Sequence, residues 1–176
     1  MRIISGSKKG ILIQAPSNLP VRPTTDRAKE SLFNILDINF NLENLQVLDL
    51  FSGTGNISYE FASRGATSVI SVDKDLGCIK FIKETASRLA LRNIHIKKQD
   101  VFAFMKNCED RFDIIFADAP YALDRIVEIP GLVYDNKLLK EKGWLIVEHA
   151  TSLDLSHQNG FFEKRKYGQS TFSFFK

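Results

Sequence analysis

Cysteine and histidine are scarce in this chain, and their scarcity removes whole classes of protein. Cys78 and Cys108 stand far apart with no neighbouring partner, and His95, His149 and His157 do not cluster with them. A disulfide framework and a structural zinc site both need closely spaced ligands, so neither is expected, and no metal is assigned. Long apolar runs are missing as well. Nothing approaches the roughly 18 or more residues of a membrane span, and no secretory leader is seen, so the chain reads as cytoplasmic with no membrane partner. Low-complexity tracts and internal repeats are absent, which removes linker and solenoid architectures. A strong charge of one sign is lacking too, since the net charge is only +3.

What remains is an ordinary globular composition. With 176 residues, 44% hydrophobic and 26% charged, the chain is long enough for one domain with a substantial core. It divides into an N-terminal β-hairpin and linker (1–21), a leading helix (22–42) and an α/β core (43–176). The charge is unevenly spread. Residues 1–34 carry six Lys/Arg against two acids, and residues 160–176 carry four against one, leaving an acidic middle. Basic ends suit a phosphate backbone, and an acidic centre suits a cationic or neutral small ligand. Ordinary solvated surface produces such asymmetry as well.

The chain is organised around Val47-Leu48-Asp49-Leu50-Phe51-Ser52-Gly53-Thr54-Gly55-Asn56. An apolar run, Leu45 to Leu50, breaks into a small-residue turn and then a helical pattern. This is how the first strand of a Rossmann-like sheet delivers a ligand to its carboxyl edge. Gly53 and Gly55 allow close backbone approach and positive φ. The third glycine of a dinucleotide fingerprint is missing, because Ser58 stands in its place.

Before this stretch, Met1–Ile4 and Gly10–Ile13 read as two short strands with Lys8 and Lys9 at their tip. Such a hairpin is marginal alone and must pack on the body or grip a partner. Thr25 is placed to cap a helix reaching about Leu36, with Ala28, Leu32, Ile35 and Leu36 on one face, Phe33 beside them, and Arg27, Lys29 and Glu30 pointing elsewhere. After it, strands and helices alternate. Strands are expected at 45–50, 68–73, 94 to about 100, 113–117 and 144–147. Helices are expected at 57–64, 76–91 and 102–105, with one or two helical pieces over 126–140 broken at Pro130-Gly131. Residues 161–175 read as a closing antiparallel hairpin turned near Gly168. Alternation of this kind predicts a mostly parallel sheet covered on both faces.

Candidate chemistry falls at the strand ends. Asp49 lies inside the end of the first strand, a costly place for a carboxylate that binds nothing. Asp73 closes the second strand, placed for the two hydroxyls of a ribose. Asp100 closes the third, where it or its neighbouring backbone reads an adenine edge. Three acids at one sheet edge disfavour a pyrophosphate and favour a ligand with sulfonium and ammonium charges, S-adenosylmethionine, over a nicotinamide dinucleotide. Asp118-Ala119-Pro120-Tyr121 then supplies a second half. The lone pair of a nucleobase amine is delocalised into its ring. The Asp118 carboxylate and the Ala119 carbonyl can accept its two N–H bonds and aim the lone pair, while Tyr121 stacks on the base.

These stretches resemble a class I adenosylmethionine-dependent methyltransferase, specifically the RsmD family of guanine-N2 methyltransferases acting on small-subunit (16S) ribosomal RNA. The resemblance is carried by Arg2-Ile3-Ile4-Ser5-Gly6, Arg22-Pro23-Thr24-Thr25-Asp26-Arg27, Ser31-Leu32-Phe33-Asn34, the glycine-bearing stretch above, Ser63-Arg64-Gly65-Ala66 and Asp113-Ile114-Ile115-Phe116. It implies cofactor contacts at Asp49, Phe51, Ser52, Gly53, Gly55, Asp73, Asp100 and Val101, and an amine-orienting site at Asp118, Ala119, Pro120 and Tyr121. It also implies RNA contacts at Arg2, Lys8, Lys9, Arg22, Thr24, Thr25 and Arg27, made by a monomer docking on ribosomal RNA or on an assembling subunit. Ala119 departs from the proline usual in such families. Pro120 still biases it toward extended backbone, but the ring that would lock its own φ is gone. Two rivals stand beside this reading: an assembly factor with a cofactor pocket but weakened catalysis, and an amino-methyltransferase for adenine or protein glutamine.

Overall fold

The computed structural model describes residues 1–16, 19 and 25–176. Seven strands form one sheet in the order β3-β2-β1-β4-β5-β7-β6. They are β1 (Gln46–Leu50), β2 (Ser68–Asp73), β3 (Ile94–Lys98), β4 (Phe112–Asp118), β5 (Leu139–Ala150), β6 (Phe161–Tyr167) and β7 (Ser170–Phe175). The first five run parallel, and β7 inserts antiparallel between β5 and β6. Helices α1 (Asp26–Asn39), α2 (Asn56–Ser63), α3 (Leu76–Arg88), α4 (Val101–Asn107) and α5 (Ile129–Asp135) supply the cover.

The strands are apolar on both sides because both faces are covered, and two cores result. One places Val47, Ile114, Phe116, Ile146 and Phe172 against Leu32, Phe33 and Leu36 of α1 and Phe61 of α2. The other places Leu48, Leu50, Ile115, Ala117 and Val147 against Val101 and Met105 of α4 and Val133 of α5. Helix starts follow the polar residues that precede them. Thr25, Asp75 and Asp100 accept from the backbone N–H of Ala28, Cys78 and Ala103 at 3.2, 2.8 and 3.0 Å, satisfying donors that a helix start leaves open. Asp100 therefore caps α4 instead of ending β3, which stops at Lys98.

Other expectations are corrected. Residues 1–13 form a single antiparallel bridge, Arg2 to Leu12, around a 3-10 turn at Gly6–Lys8, not two strands. The two arms still exchange backbone bonds, Ile3 N–H to the Ile11 carbonyl and Ile13 N–H to the Met1 carbonyl, and the tip is in contact with α2. Ser63 Oγ donates to the Ser5 carbonyl at 2.6 Å and accepts from Lys8 N–H at 2.9 Å. Gly6, at φ +79°, sits so close that an added Cβ would lie 1.9 Å from the Ser63 carbonyl oxygen. The tip is thus pinned to the body. β5 is longer than 144–147, because Glu148, His149 and Ala150 pair with β7 and Leu139 pairs with Phe112, residues 140–143 being carried in the register shift before Trp144 meets Ile114. The break in 126–140 falls before Pro130, between a 3-10 turn (Asp124–Glu128) and α5, which contains both Pro130 and Gly131. Pro130 fits there because the first helical turn needs no N–H from it.

Lys29 is the largest departure. It lies four residues before Phe33 on the inner face of α1 and is fully buried. Its Nζ donates to the Arg2 carbonyl at 2.6 Å and to Asn56 Oδ1 at 2.9 Å, and lies 3.3 Å from the buried Glu60 carboxylate. Glu60 also accepts from the backbone N–H of Ile4 and Ser5 and from Arg64 Nε. Burial lowers the Lys29 pKa, and the Glu60 charge opposes that shift.

Removing one partner of a buried pair strands the other. Lys29→Met is expected to cost about 3–5 kcal/mol in urea unfolding. Asp37→Asn, which removes the exposed arm of the Arg64 ion pair, should cost about 1 kcal/mol or less. Equal losses would contradict the role assigned to Lys29.

Candidate active site

The carboxyl ends of β1, β2, β4 and β5 open into one cavity of about 1330 Å³, walled also by the start of α1 and the β6–β7 turn. Its floor is the β1–α2 loop. Phe51 (φ +59°), Gly53 (φ +52°) and Gly55 (φ +81°) all adopt left-handed backbone, which a non-glycine residue such as Phe51 does rarely. Hydrogen bonds hold it there. Ser52 N–H donates to the Val72 carbonyl at 3.0 Å and Gly55 N–H to the Ser52 carbonyl at 2.7 Å. Gly53 N–H donates to Asp73 Oδ2 at 2.8 Å, and Asp75 N–H takes the other Asp73 oxygen at 2.8 Å.

Beneath the loop, Asp49 is buried and accepts a short hydrogen bond from Ser58 Oγ, which also contacts Ser71 Oγ at 2.7 Å. Burial pushes the Asp49 carboxyl up to about 7; the Ser58 hydrogen bonds pull it down and nearby Asp73 pushes it further up. Ser58, which occupies the missing third-glycine position, is thus a carboxylate partner. The buried Ser52 Oγ has no hydrogen-bond partner among the described residues and lines the cavity. Phe51 and Phe102 meet edge-on with ring centroids 6.1 Å apart, and with Val101 and Leu123 they make an apolar slot. Arg125 lies outside it, 3.8 Å over the Phe102 ring. Acidic walls, an orphaned hydroxyl and an apolar slot fit a ligand with a cationic end, hydrogen-bonding hydroxyls and a flat ring.

On the opposite side, Asp118 ends β4 and Ala119 follows, 1% exposed. Pro120 is exposed, as is Tyr121. The Tyr121 hydroxyl meets Ser170 Oγ at 2.5 Å, tying the post-β4 loop to the β6–β7 turn. Thr25, Arg27, Ala28 and Ser31 of the α1 start close this side.

The cavity therefore brings together Asp49, Phe51, Ser52, Gly53, Asp73, Asp100, Val101, Asp118, Ala119, Pro120, Tyr121, Thr25 and Arg27. Gly55 stands behind the wall, where an added Cβ would lie 2.8 Å from the Tyr59 ring. Its missing side chain makes room for core packing. Arg2, Lys8 and Lys9 are on the N-terminal segment outside the cavity, and Arg22 and Thr24 fall outside the described residues. Sequence reasoning missed Glu148, which is 4% exposed, lines the cavity and pairs in register with Asp118. The signal was available: an acid directly after the apolar run Leu145–Val147, as Asp49 and Asp73 also sit at strand ends. It also missed Ser31 and the β6–β7 turn, whose proximity no local pattern encodes. Among the described residues, no three His, Cys, Asp or Glu side chains gather as a metal site, and no helix is long and apolar enough to cross a membrane.

The family model described as Conserved hypothetical protein 95 matches residues 1–176. The chain is similar to YlbH of Bacillus subtilis (strain 168), 32% identical over 183 residues that cover 100% of this chain and 98% of that one. It is similar to Ribosomal RNA small subunit methyltransferase D of Escherichia coli (strain K12), 28% identical over 160 residues, covering 91% of this chain and 77% of that one. The solved structure of yhhF from Escherichia coli matches with a TM-score of 0.86 at 25% identity, covering 99% of this chain and 96% of that one.

The raised Asp49 carboxyl makes stability depend on pH. The folded protein keeps a proton there up to about pH 7, whereas the unfolded chain releases it near the ordinary carboxylate value of about 4. The Asp49 contribution is therefore full below about pH 4 and is lost as pH rises through 7. Urea unfolding of wild type and Asp49→Asn from pH 4 to 8 should show wild-type stability falling relative to the variant across that window. A constant difference would contradict the shifted carboxyl.

Proposed function

The chain belongs to the Conserved hypothetical protein 95 family, the RsmD family of rRNA methyltransferases, and from that premise we propose that it transfers a methyl group from S-adenosylmethionine to the exocyclic N2 amine of a guanine in small-subunit ribosomal RNA. The observation that carries this reading is the pairing of two half-sites in one cavity. An acid-walled pocket suited to a cation adjoins a carboxylate and a loop suited to an amine.

S-adenosylmethionine supplies an electrophilic methyl group on a good leaving group. Asp73 would hold its ribose hydroxyls. Asp49 and Ser52 would face its polar, charged end, and Phe51, Val101 and Phe102 would take the adenine, with Asp100 at the edge of that ring. The fit rests on the orphaned Ser52 hydroxyl and on the acids that favour positive charge. On the other side, the Asp118 carboxylate and the Ala119 carbonyl accept the two N–H bonds of the base amine. That pulls its lone pair out of conjugation and aims it at the pocket. Asp118, already holding one N–H, is placed to take the proton that the methylated amine sheds. Tyr121, braced by Ser170, offers a stacking face for a base drawn out of its helix. Arg27 and Lys166 at the rim and the exposed Lys9 supply cations for the RNA backbone, so affinity should fall steeply with salt. We read the chain as one cytoplasmic methyltransferase domain.

Ala119 favours a second reading, an assembly factor with weakened catalysis, because proline is usual at that position in such families. Its burial counters the loss, since packing restrains the carbonyl that a ring would otherwise fix.

Tritiated S-adenosylmethionine with deproteinised small-subunit RNA, and with small subunits from cells lacking the protein, decides between the two. Label is expected in N2-methylguanosine. Asp118→Ala should lower kcat/KM by about 100-fold or more with cofactor affinity unchanged, and Ala119→Pro should raise the single-turnover rate. Intact cofactor binding without labelled product would favour the assembly factor.

A further inference from the structure

We propose that Glu148 is the residue that makes the site specific for guanine, by accepting the ring N1–H beside the amine held at Asp118. The inference rests on the function proposed above and names what discriminates the base.

The argument begins with strand register. Asp118 and Glu148 are partners in the parallel β4–β5 pair. Side chains at partner positions project from the same face of a sheet, and neighbouring strands are about 4.8 Å apart. Both residues line the same cavity, and Phe116, two residues before Asp118 on that face, lines it too. Glu148 is 4% exposed and Asp118 half-buried, so Glu148 forms the deeper wall and Asp118 the nearer one. Two carboxylates set side by side at strand spacing present adjacent acceptors to two adjacent, nearly parallel donors.

Guanine has that pair on one edge. Its N1–H and the near N–H of its N2 amine point the same way from neighbouring ring positions. Adenine has a bare N1 lone pair beside its amine and would turn that lone pair toward the Glu148 carboxylate. The four residues Asp118 to Tyr121 recognise only an amine and a ring face, so they accept either base. Glu148 supplies the missing distinction. The apolar neighbours Phe116 and Phe172, the latter paired with Glu148 across β7, keep the contact away from water, where an unmatched polar group is most costly.

A purine that keeps the N2 amine but lacks N1–H tests this directly. Once the labelled guanosine has been mapped, small-subunit RNA is assembled from fragments with guanosine or 2-aminopurine riboside at that position, and methyl transfer is measured with wild type and Glu148→Gln. Wild type should prefer guanosine by about 10⁴-fold in kcat/KM, as expected where a buried group is left unmatched. In Glu148→Gln the amide can either accept from N1–H or donate to a bare N1, so the preference should fall to about tenfold or less. The variant's unfolding midpoint and its cofactor affinity should match wild type. Wild type methylating both RNAs within about tenfold would overturn the inference, and that arm decides even if the variant fails to fold. A folded Glu148→Gln that keeps the full preference would overturn it as well. Label mapping to a base other than guanine in the first step, or to none, would overturn the proposed function, and this inference with it.

Discussion

One buried ammonium group ties the molecule together. Lys29 reaches from α1 to the Arg2 carbonyl, Asn56 and Glu60, and Glu60 in turn accepts from Ile4, Ser5 and Arg64. The N-terminal segment, α1 and α2 therefore share one charge-assisted network centred on the buried Lys29 and Glu60 side chains. Such networks are stable only when fully partnered. The consequence is positional. α1 carries Thr25, Arg27, Ala28 and Ser31 into the cavity wall, and α2 begins where the β1–α2 loop ends. The clasp thus sets the distance between the α1 wall of the cavity and its β1–α2 floor.

The floor is organised by a buried carboxyl group. Asp49 is held by Ser58, which leans on Ser71, while Asp73 receives the backbone N–H of Gly53 from the turn above and that of Asp75 from its own connection to α3. These bonds fix three left-handed backbone conformations in close succession, including that of Phe51. The turn then presents apolar rings on one side and acids on the other. A cationic ligand relieves the crowding of carboxylates here, which is the physical reason an acid-rich strand edge favours a sulfonium donor over a pyrophosphate.

The fold is the Rossmann-like class I methyltransferase arrangement, and its last two strands contribute to the site directly. Inserting β7 antiparallel between β5 and β6 brings the 166–170 turn over the carboxyl edge. There Ser170 braces Tyr121. An exposed aromatic ring with its hydroxyl anchored is a stacking surface with little rotamer freedom left to lose.

Much of this was legible in one dimension. Apolar runs ending at or beside Asp49, Asp73 and Asp118, separated by helical periods, determined the parallel sheet and the edge at which the cavity opens, because both periodicities are local properties of the backbone. Thr25 marked a helix start for the same reason, whereas Asp100, read as the end of a strand, is the cap of α4. Tertiary structure alone decided the partners. Lys29 looked like surface on charge, yet it is core, since only the packed fold supplies Glu60 and a carbonyl to offset its desolvation. The N-terminal hairpin keeps cross-bonds such as Ile3 N–H to the Ile11 carbonyl, but its tip is held by Ser63, more than fifty residues away in sequence. Glu148 acquired meaning only when register set it beside Asp118. Local pattern encodes the elements and their faces; long-range pairing, which depends on residues far apart in sequence, determines which charges meet.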